Sequence, residues 1–412
     1  MSNKLRCRRV YRFRLEPVGS QDLELERTAS VSRFIYNWGL DRCQTYYQAS
    51  GQSLPWSQLS RELTQLKHEE PWLYDFDSQM QQQALANLKR AYVNFFEGRA
   101  QFPKFKKKKS ARQSFRIPQR VKVSDGYLYI PGIGKVKLRQ SKAIDLPTKS
   151  ATFKRTAVGR WFVTLVAEFE IPAAKVPIGE EKVVGLDAVL QPPNYLVGSD
   201  GSEVPAPRYY RRTQRKLRRA HRHLSRCQNP SHNRSQAKLR VARVHERVAN
   251  LRREFVNQLS HKLVQRWDVV CVEDLNLKSL AKNKQAKSWF DASFGELFRR
   301  IEYKCLWKSK HFVAVDRFFA SSKLCSECGY KNDDLHLSDR RWACPACRTR
   351  QVRDFNAAIN IKREGLRILA AGCAESLNAH GPHVRLTEAS RVGRTGNGAN
   401  RKAAKPPRLP CL

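Results

Sequence analysis

Four cysteines between residues 325 and 347 constrain this chain more than any other feature. Cys325-x2-Cys328, fifteen intervening residues and Cys344-x2-Cys347 match the spacing of a four-cysteine zinc site. Each Cys-x2-Cys turn presents two thiolates from one knuckle, and two knuckles complete a tetrahedron. Four protein ligands close the coordination sphere, so Zn²⁺ held there has a structural role. The cysteine total is eleven, an odd number, and the N-terminus MSNKLRCRRVYRFRL carries charges where a secretory signal needs an apolar run. Both points favour metal over disulfides and predict a reducing cytosol. No segment approaches the ~20 apolar residues of a membrane helix, so a membrane partner is not expected.

Charge narrows the partners. Across 412 residues there are 78 Lys and Arg against 37 Asp and Glu, a formal charge of +41. An excess of that size repels itself unless a polyanion neutralises it, and nucleic acid is the first candidate. The basic residues concentrate twice. Lys104, Lys106, Lys107, Lys108 and Lys109 adjoin Phe102, Phe105 and Phe115, a composition suited to gripping a backbone while a ring stacks on a base. Residues 208–255 then carry sixteen Lys and Arg against only Glu246 and Glu254. Within them Arg211, Arg212, Arg215, Arg218 and Arg219 fall on several helical faces, more than one duplex contacts at once. A hybrid duplex read by shape and backbone fits that distribution.

Periodicity divides the chain. Residues 5–15 alternate, with Leu5, Cys7, Tyr11, Phe13 and Leu15 opposite a row of arginines, which predicts a strand. From about 24 to 96 the period is helical, broken at Pro55 and Pro71. Alternating runs punctuated by glycine resume from 121 to 171 and read as an antiparallel sheet or barrel. Residues 173–181 read as a linker. Beyond it the pattern becomes α/β: the apolar strands EKVVGLD and DVVCVE, an amphipathic helix through Phe294, Leu297, Phe298, Ile301 and Cys305, the strand HFVAV, and a helix from DFNAAINI. Trp38, Trp56, Tyr92 and Trp307 lie at core-like helical spacing. The Gly-, Asn- and Arg-rich tail from 375 is expected to be disordered.

Three acids stand at parallel places in that pattern. Asp187 ends one strand, Glu273 ends another and Asp354 heads a helix. Carboxylates so placed can meet at one sheet edge, and converging oxygens suit Mg²⁺. Singly, each has an ordinary alternative: a turn residue, a surface acid beside Asp274, and a helix N-cap. The order Asp, Glu, Asp on strand, strand and helix resembles a ribonuclease H-like fold.

The motifs VVGLD, VCVEDLNLKSL, RFFASSKLCSECGY and WACPACRTRQVRDFNAAINI resemble those of the TnpB family, transposon-encoded proteins related to the compact type V CRISPR (Cas12) effectors. YRFRLEP, SVSRFIYNWGL and the Phe-Pro-Lys-Phe-Lys stretch resemble it too, so the likeness runs over roughly residues 1–370. It implies an α/β multidomain protein. A wedge-like β-barrel (1–22 and 98–175) would hold an inserted helical recognition domain (23–97). A RuvC-type, ribonuclease H-like nuclease (176–320 and 350–374) would be interrupted by a zinc ribbon (321–349), with a basic tail from 375 to 412. It further implies a guide RNA as cofactor and partner, a double-stranded DNA target cut beside a short motif, one protein copy per RNA, and Mg²⁺-dependent catalysis. On that likeness Asp187, Glu273 and Asp354 are the catalytic acids and Cys325, Cys328, Cys344 and Cys347 the ribbon ligands. Two positions depart from the family pattern: Ala188-Val189 stand where Leu-Gly usually follows the first acid, and Arg348 stands where a knuckle usually has glycine. The first departure keeps open a nuclease-deficient RNA-guided DNA binder; a DNA-joining transposase is the remaining alternative.

Overall fold

The computed structural model describes residues 4–108, 113–172, 179–189, 193–276, 286–336 and 338–378. They form two compact units, one of residues 1–173 with 208–255, the other of 174–207 with 256–412.

The first unit is built on a seven-stranded antiparallel sheet. Strand β1 (Lys4–Glu16) buries Cys7, Tyr11, Phe13 and Leu15 and exposes Arg6, Arg8 and Arg12, with Arg9 and Arg14 half-buried. The chain then leaves the sheet through helices α1 (Ser20–Ser50), α2 (Trp56–Glu69) and α3 (Ser78–Phe96). It returns as β2 (Gln113–Ile117), β3 (Lys122–Ser124), β4 (Tyr127–Ile130), β5 (Gly134–Arg139), β6 (Thr148–Arg155) and β7 (Trp161–Pro172). The strand order is β2-β6-β7-β1-β5-β4-β3, so the helical stretch is an insertion between two strands of one sheet. Among the described residues no β2–β3 ladder closes the expected barrel. One end strand, β3, has only three residues, too few for a long ladder. Asp77 caps α3 by accepting from the Met80 amide at 2.8 Å. Trp38, Trp56 and Tyr92 pack against the apolar core, as expected of their spacing.

Residues 208–255, expected within the nuclease segment 176–320, group instead with this first unit. They form α4 (Tyr209–Arg226) and most of α5 (His232–Arg266), two helices with a break around Pro230. Leu217 and Ala220 of α4 meet Val241 and Val244 of α5 in a small core of their own. Arg160, just before β7, reaches Glu246 at 3.2 Å and ties the pair to the sheet unit.

The second unit is a five-stranded mixed sheet, ordered β10-β9-β8-β11-β12. It comprises β8 (Val183–Ala188), β9 (Asn194–Gly198), β10 (Glu203–Pro205), β11 (Val269–Glu273) and β12 (His311–Val315). Strands β8, β11 and β12 are parallel to one another, while β9 and β10 form antiparallel hairpins at one side. Parallel strands buried on both faces read as unbroken apolar runs, and VVGL and VVCV are such runs. Helices α6 (Ala286–Ala292) and α7 (Phe294–Trp307) precede β12. A two-stranded ribbon, β13 (Arg341–Ala343) with β14 (Arg350–Val352), carries the chain into α8 (Arg353–Asn378), which runs four residues past the predicted start of the tail. Ala374 and Leu377 are good helix formers, which is the local reason.

Helix α8 lies hard against β8. A Cβ built on Gly185 would sit 2.1 Å from the Ala358 carbonyl oxygen and 2.5 Å from the Lys362 amide nitrogen. Only a residue without Cβ lets helix and strand approach so closely, and that approach fixes where Asp354 stands relative to Asp187, two residues beyond Gly185.

Candidate metal centres and nucleic-acid surfaces

The four cysteines close on one point. Their Sγ atoms all lie within 4.8 Å of one another. Cys325 Sγ is 3.7 Å from Cys347 Sγ, and Cys328 Sγ is 3.6 Å from Cys344 Sγ. A tetrahedron with Zn–S bonds of about 2.3 Å has S–S edges of about 3.8 Å, whereas a disulfide needs about 2.05 Å. The donor set and spacing fit Zn²⁺. The turns favour the thiolate at Cys325 and Cys347; at Cys328 the Tyr330 amide pulls the same way, but burial and the three neighbouring sulfurs outweigh it and raise the thiol. Burial pushes Cys325 up, but the amides of Cys328 and Glu327 overcome it and hold the thiol below its ordinary range. The Thr349 hydroxyl and amide bring Cys347 down to about 6. The knuckles are matched turns: the Gly329 amide bonds the Cys325 carbonyl at 2.9 Å, and the Arg348 amide bonds the Cys344 carbonyl at 2.8 Å. Gly329 has φ 75° and Arg348 φ 61°, so the family's usual glycine position is filled here by a side chain in left-handed backbone.

Helix α8 anchors the first knuckle, through residues the sequence reading passed over. The Asn356 amide donates to the Leu324 carbonyl at 2.7 Å while its oxygen accepts from the Ser326 amide at 2.8 Å. Asn360, one turn on, donates to the carbonyls of Ser321 and Leu324. Two buried asparagines at i and i+4 are poor helix formers, and that local cost was the available signal that a partner outside the helix fixes them.

The second centre is made of acids. Asp187 ends β8, its Cα opposite Val197 of β9; Glu273 ends β11, opposite Val315 of β12; Asp354 is in the first turn of α8. Burial, then the charges of Asp354 and Glu273, push the Asp187 carboxyl up to about 7. Burial and neighbouring Asp274 raise Glu273 as well. The two neighbours part roles: Asp274 is ion-paired to Arg317, while Glu273 is half-buried at the strand end. Arg340, also missed from the sequence, holds the Asp354 carboxylate at 3.1 Å. The cysteines are the one group of three or more such ligands, among the described residues, that gathers tightly enough to hold an ion as it stands. The acids are near enough to perturb one another but stay apart, an open arrangement.

The departure after Asp187 is absorbed by the sheet. Ala188 pairs with Leu196 and the Val189 amide bonds the Tyr195 carbonyl at 3.0 Å, so the β8–β9 hairpin simply runs two residues past the acid. Residues 190–192 lie outside the described residues.

The predicted basic residues divide. Arg211, Arg212, Arg215, Arg218 and Arg219 are all exposed along α4, with Leu217 and Ala220 its buried stripe. Lys104, Lys106, Lys107 and Lys108 are exposed; Lys109 lies outside the described residues. Lys106 also turns its ammonium toward the protein. Its Nζ stands 3.6 Å from the Tyr36 ring centroid, its backbone is clasped by the Asn37 side chain at 2.8 and 3.0 Å, and burial lowers its ammonium to about 8. Phe115 is likewise a core residue, stacked on Phe153 at 4.6 Å, because β2 alternates it inward. Phe102 and Phe105 stay partly exposed.

Comparison with known proteins agrees with this architecture. Family models match at residues 3–52 ("Helix-turn-helix domain"), 169–284 ("Probable transposase") and 294–361 ("Cas12f1-like, TNB domain"). The first stretch is here a strand and one long helix. A Streptomyces pristinaespiralis protein named "Putative RNA-guided DNA endonuclease" is 34% identical, covering 94% of this chain and 95% of its own. Escherichia coli K12 "Putative RNA-guided DNA endonuclease InsQ" is 30% identical over 88% and 94%. "TnpB-like protein L79" of Acanthamoeba polyphaga mimivirus is 30% identical over 31% of this chain. The solved Cas12f1–sgRNA–target DNA complex shares the fold, with a TM-score of 0.52 at 14% identity over 83% of this chain and 82% of that one. No described helix is long and apolar enough to cross a membrane. On end-to-end similarity to these relatives, the chain belongs to the TnpB family.

Proposed function

We propose that this protein is an RNA-guided DNA endonuclease of transposon origin, acting in the prokaryotic cytosol as one copy per guide RNA. The observation that carries the reading is the placement of Asp187 and Glu273 at the ends of β8 and β11 and of Asp354 in the first turn of α8, near enough that the charges of Asp354 and Glu273 add to burial in raising Asp187. On this reading the second unit is the RuvC-type nuclease with its zinc ribbon, and the first is the wedge-like and recognition module.

The three acids are an all-oxygen donor set, which suits Mg²⁺. When bound, Mg²⁺ supplies Lewis acidity to the scissile phosphate and a more acidic water. The chain's own residues do the rest. Gly185 lets α8 seat Asp354 beside β8, and Arg340 orients the Asp354 carboxylate from outside. Asp274 is withdrawn to Arg317, leaving Glu273 to face the site. Exposed arginines of α4, together with Lys104, Lys107 and Lys108, offer charge to RNA and DNA backbones. Lys106, held over Tyr36, anchors its own strap.

The test is to co-express the protein with its flanking genomic DNA, sequence the RNA that co-purifies, and challenge a matched plasmid library with Mg²⁺ or EDTA. Mg²⁺-dependent cuts at guide-matched sites, lost by at least ~100-fold in Asp187→Ala, are expected. Guided binding without cuts overturns the nuclease in favour of a binder, and no defined RNA overturns guidance altogether.

A further inference from the structure

Phe318 is 87% exposed, more than any other large apolar side chain among the described residues. Single exposed apolar residues are ordinary on loops, but this one is held on a braced turn. The Phe318 amide donates to Asp316 Oδ1 at 2.7 Å and the Phe319 amide to the Asp316 carbonyl at 3.0 Å. Arg317 is ion-paired to Asp274, and Phe319 packs against the core formed by Val183, Val269, Val313 and Ile361. Both neighbours of Phe318 are thus fixed to the sheet, and its ring is presented outward.

The turn follows β12, where Val315 lies opposite Glu273 in the parallel ladder. Three residues span at most about 10 Å, so Phe318 stands at the same sheet edge as the acids. A phosphodiester reaching those acids brings bases on either side of it. A rigid aromatic face at that edge accepts any base, because every base has a π-face.

We propose that Phe318 stacks on a nucleobase of the unpaired DNA strand entering the carboxylate site and so positions the phosphate to be cut. This rests on the nuclease reading, and it assigns Phe318 as a positioning residue.

The test uses the full chain with its co-purified RNA. In an Asp187→Ala background, 2-aminopurine is placed stepwise along the displaced strand of the target. Quenching at one position with Phe318 or Phe318→Trp, and none there in Phe318→Ala, is expected. In the active protein Phe318→Ala should lower kcat/KM about tenfold, with Phe318→Trp restoring it. An abasic residue at the quenched position should reduce wild-type cleavage similarly and leave Phe318→Ala unchanged. Thermal stability should stay as in the wild type, since the ring packs on nothing it would leave empty. Identical quenching in Phe318→Ala, or a cleavage loss that Phe318→Trp fails to restore, overturns the proposal. If the wild type binds its target but never cuts, the nuclease reading falls, while the quenching scan still decides whether Phe318 meets a base.

Discussion

The two candidate metal centres of the second unit are built in opposite ways. The cysteine centre is closed: four sulfurs stand at tetrahedral spacing, fed by amides of their own turns and anchored by Asn356 and Asn360. The carboxylate centre is open: its three members come from two strands and a helix, and burial, with the added charges of Asp354 and Glu273, raises Asp187 even though Arg340 pairs with Asp354. A closed site stores its binding energy in the fold, whereas an open one keeps strain available for a ligand. Removing a ligand should therefore harm the fold at the first centre and relax it at the second.

The largest effect should come from Cys344→Ser. Loss of about one zinc per chain by metal analysis, with fast amide exchange across residues 322–352, is expected, since a structural zinc site folds only with its metal. An intact exchange pattern without zinc would break the contrast. Next is Gly185→Ala, whose new Cβ must displace α8. We expect a loss of about 3 kcal/mol by denaturant titration and at least ~100-fold slower cleavage, because a displacement of about 1 Å at a catalytic group costs that much.

Asp187→Asn should act in the opposite sense to Cys344→Ser. A carboxyl raised in the folded state keeps its proton there after the unfolded chain has released it, so wild-type stability falls as pH rises from about 4 to about 7. The variant should therefore match the wild type near pH 4 and exceed it by on the order of 1–3 kcal/mol at pH 8, measured by thermal unfolding. Mg²⁺ should narrow that gap by stabilising the wild type alone. The smallest effect belongs to Arg348→Gly, which relieves the left-handed backbone of the second knuckle. A gain of about 0.5–1 kcal/mol, with zinc content unchanged, is expected.

The same contrast governs what was legible beforehand. The cysteine ligands are announced by local spacing, since a knuckle is a turn whose geometry its own residues set. The acids stood out only as candidates, because Asp187, Glu273 and Asp354 are separated by whole elements and each alone fits a turn, a surface or a cap. Lys106 shows the limit most plainly: within a run of lysines nothing marks the one whose backbone Asn37 clasps and whose ammonium Tyr36 covers. Phe115 was misgrouped with the stacking rings because its inward direction depends on the register of β2 with β6.

The sequence by itself determined the first strand, the helical stretch after it, the apolar strands β8, β11 and β12, the cysteine site, the global positive charge and the family, all properties carried by local pattern or end-to-end similarity. Tertiary structure decided that residues 208–255 join the first unit and that β1 reaches across to β7. It decided too that α8 approaches β8 at Gly185, bringing Asp354 to Asp187 and Asn356 to the knuckle. Those outcomes depend on which surfaces meet after the chain has folded back on itself, and contact between residues far apart in sequence leaves no local periodicity to read.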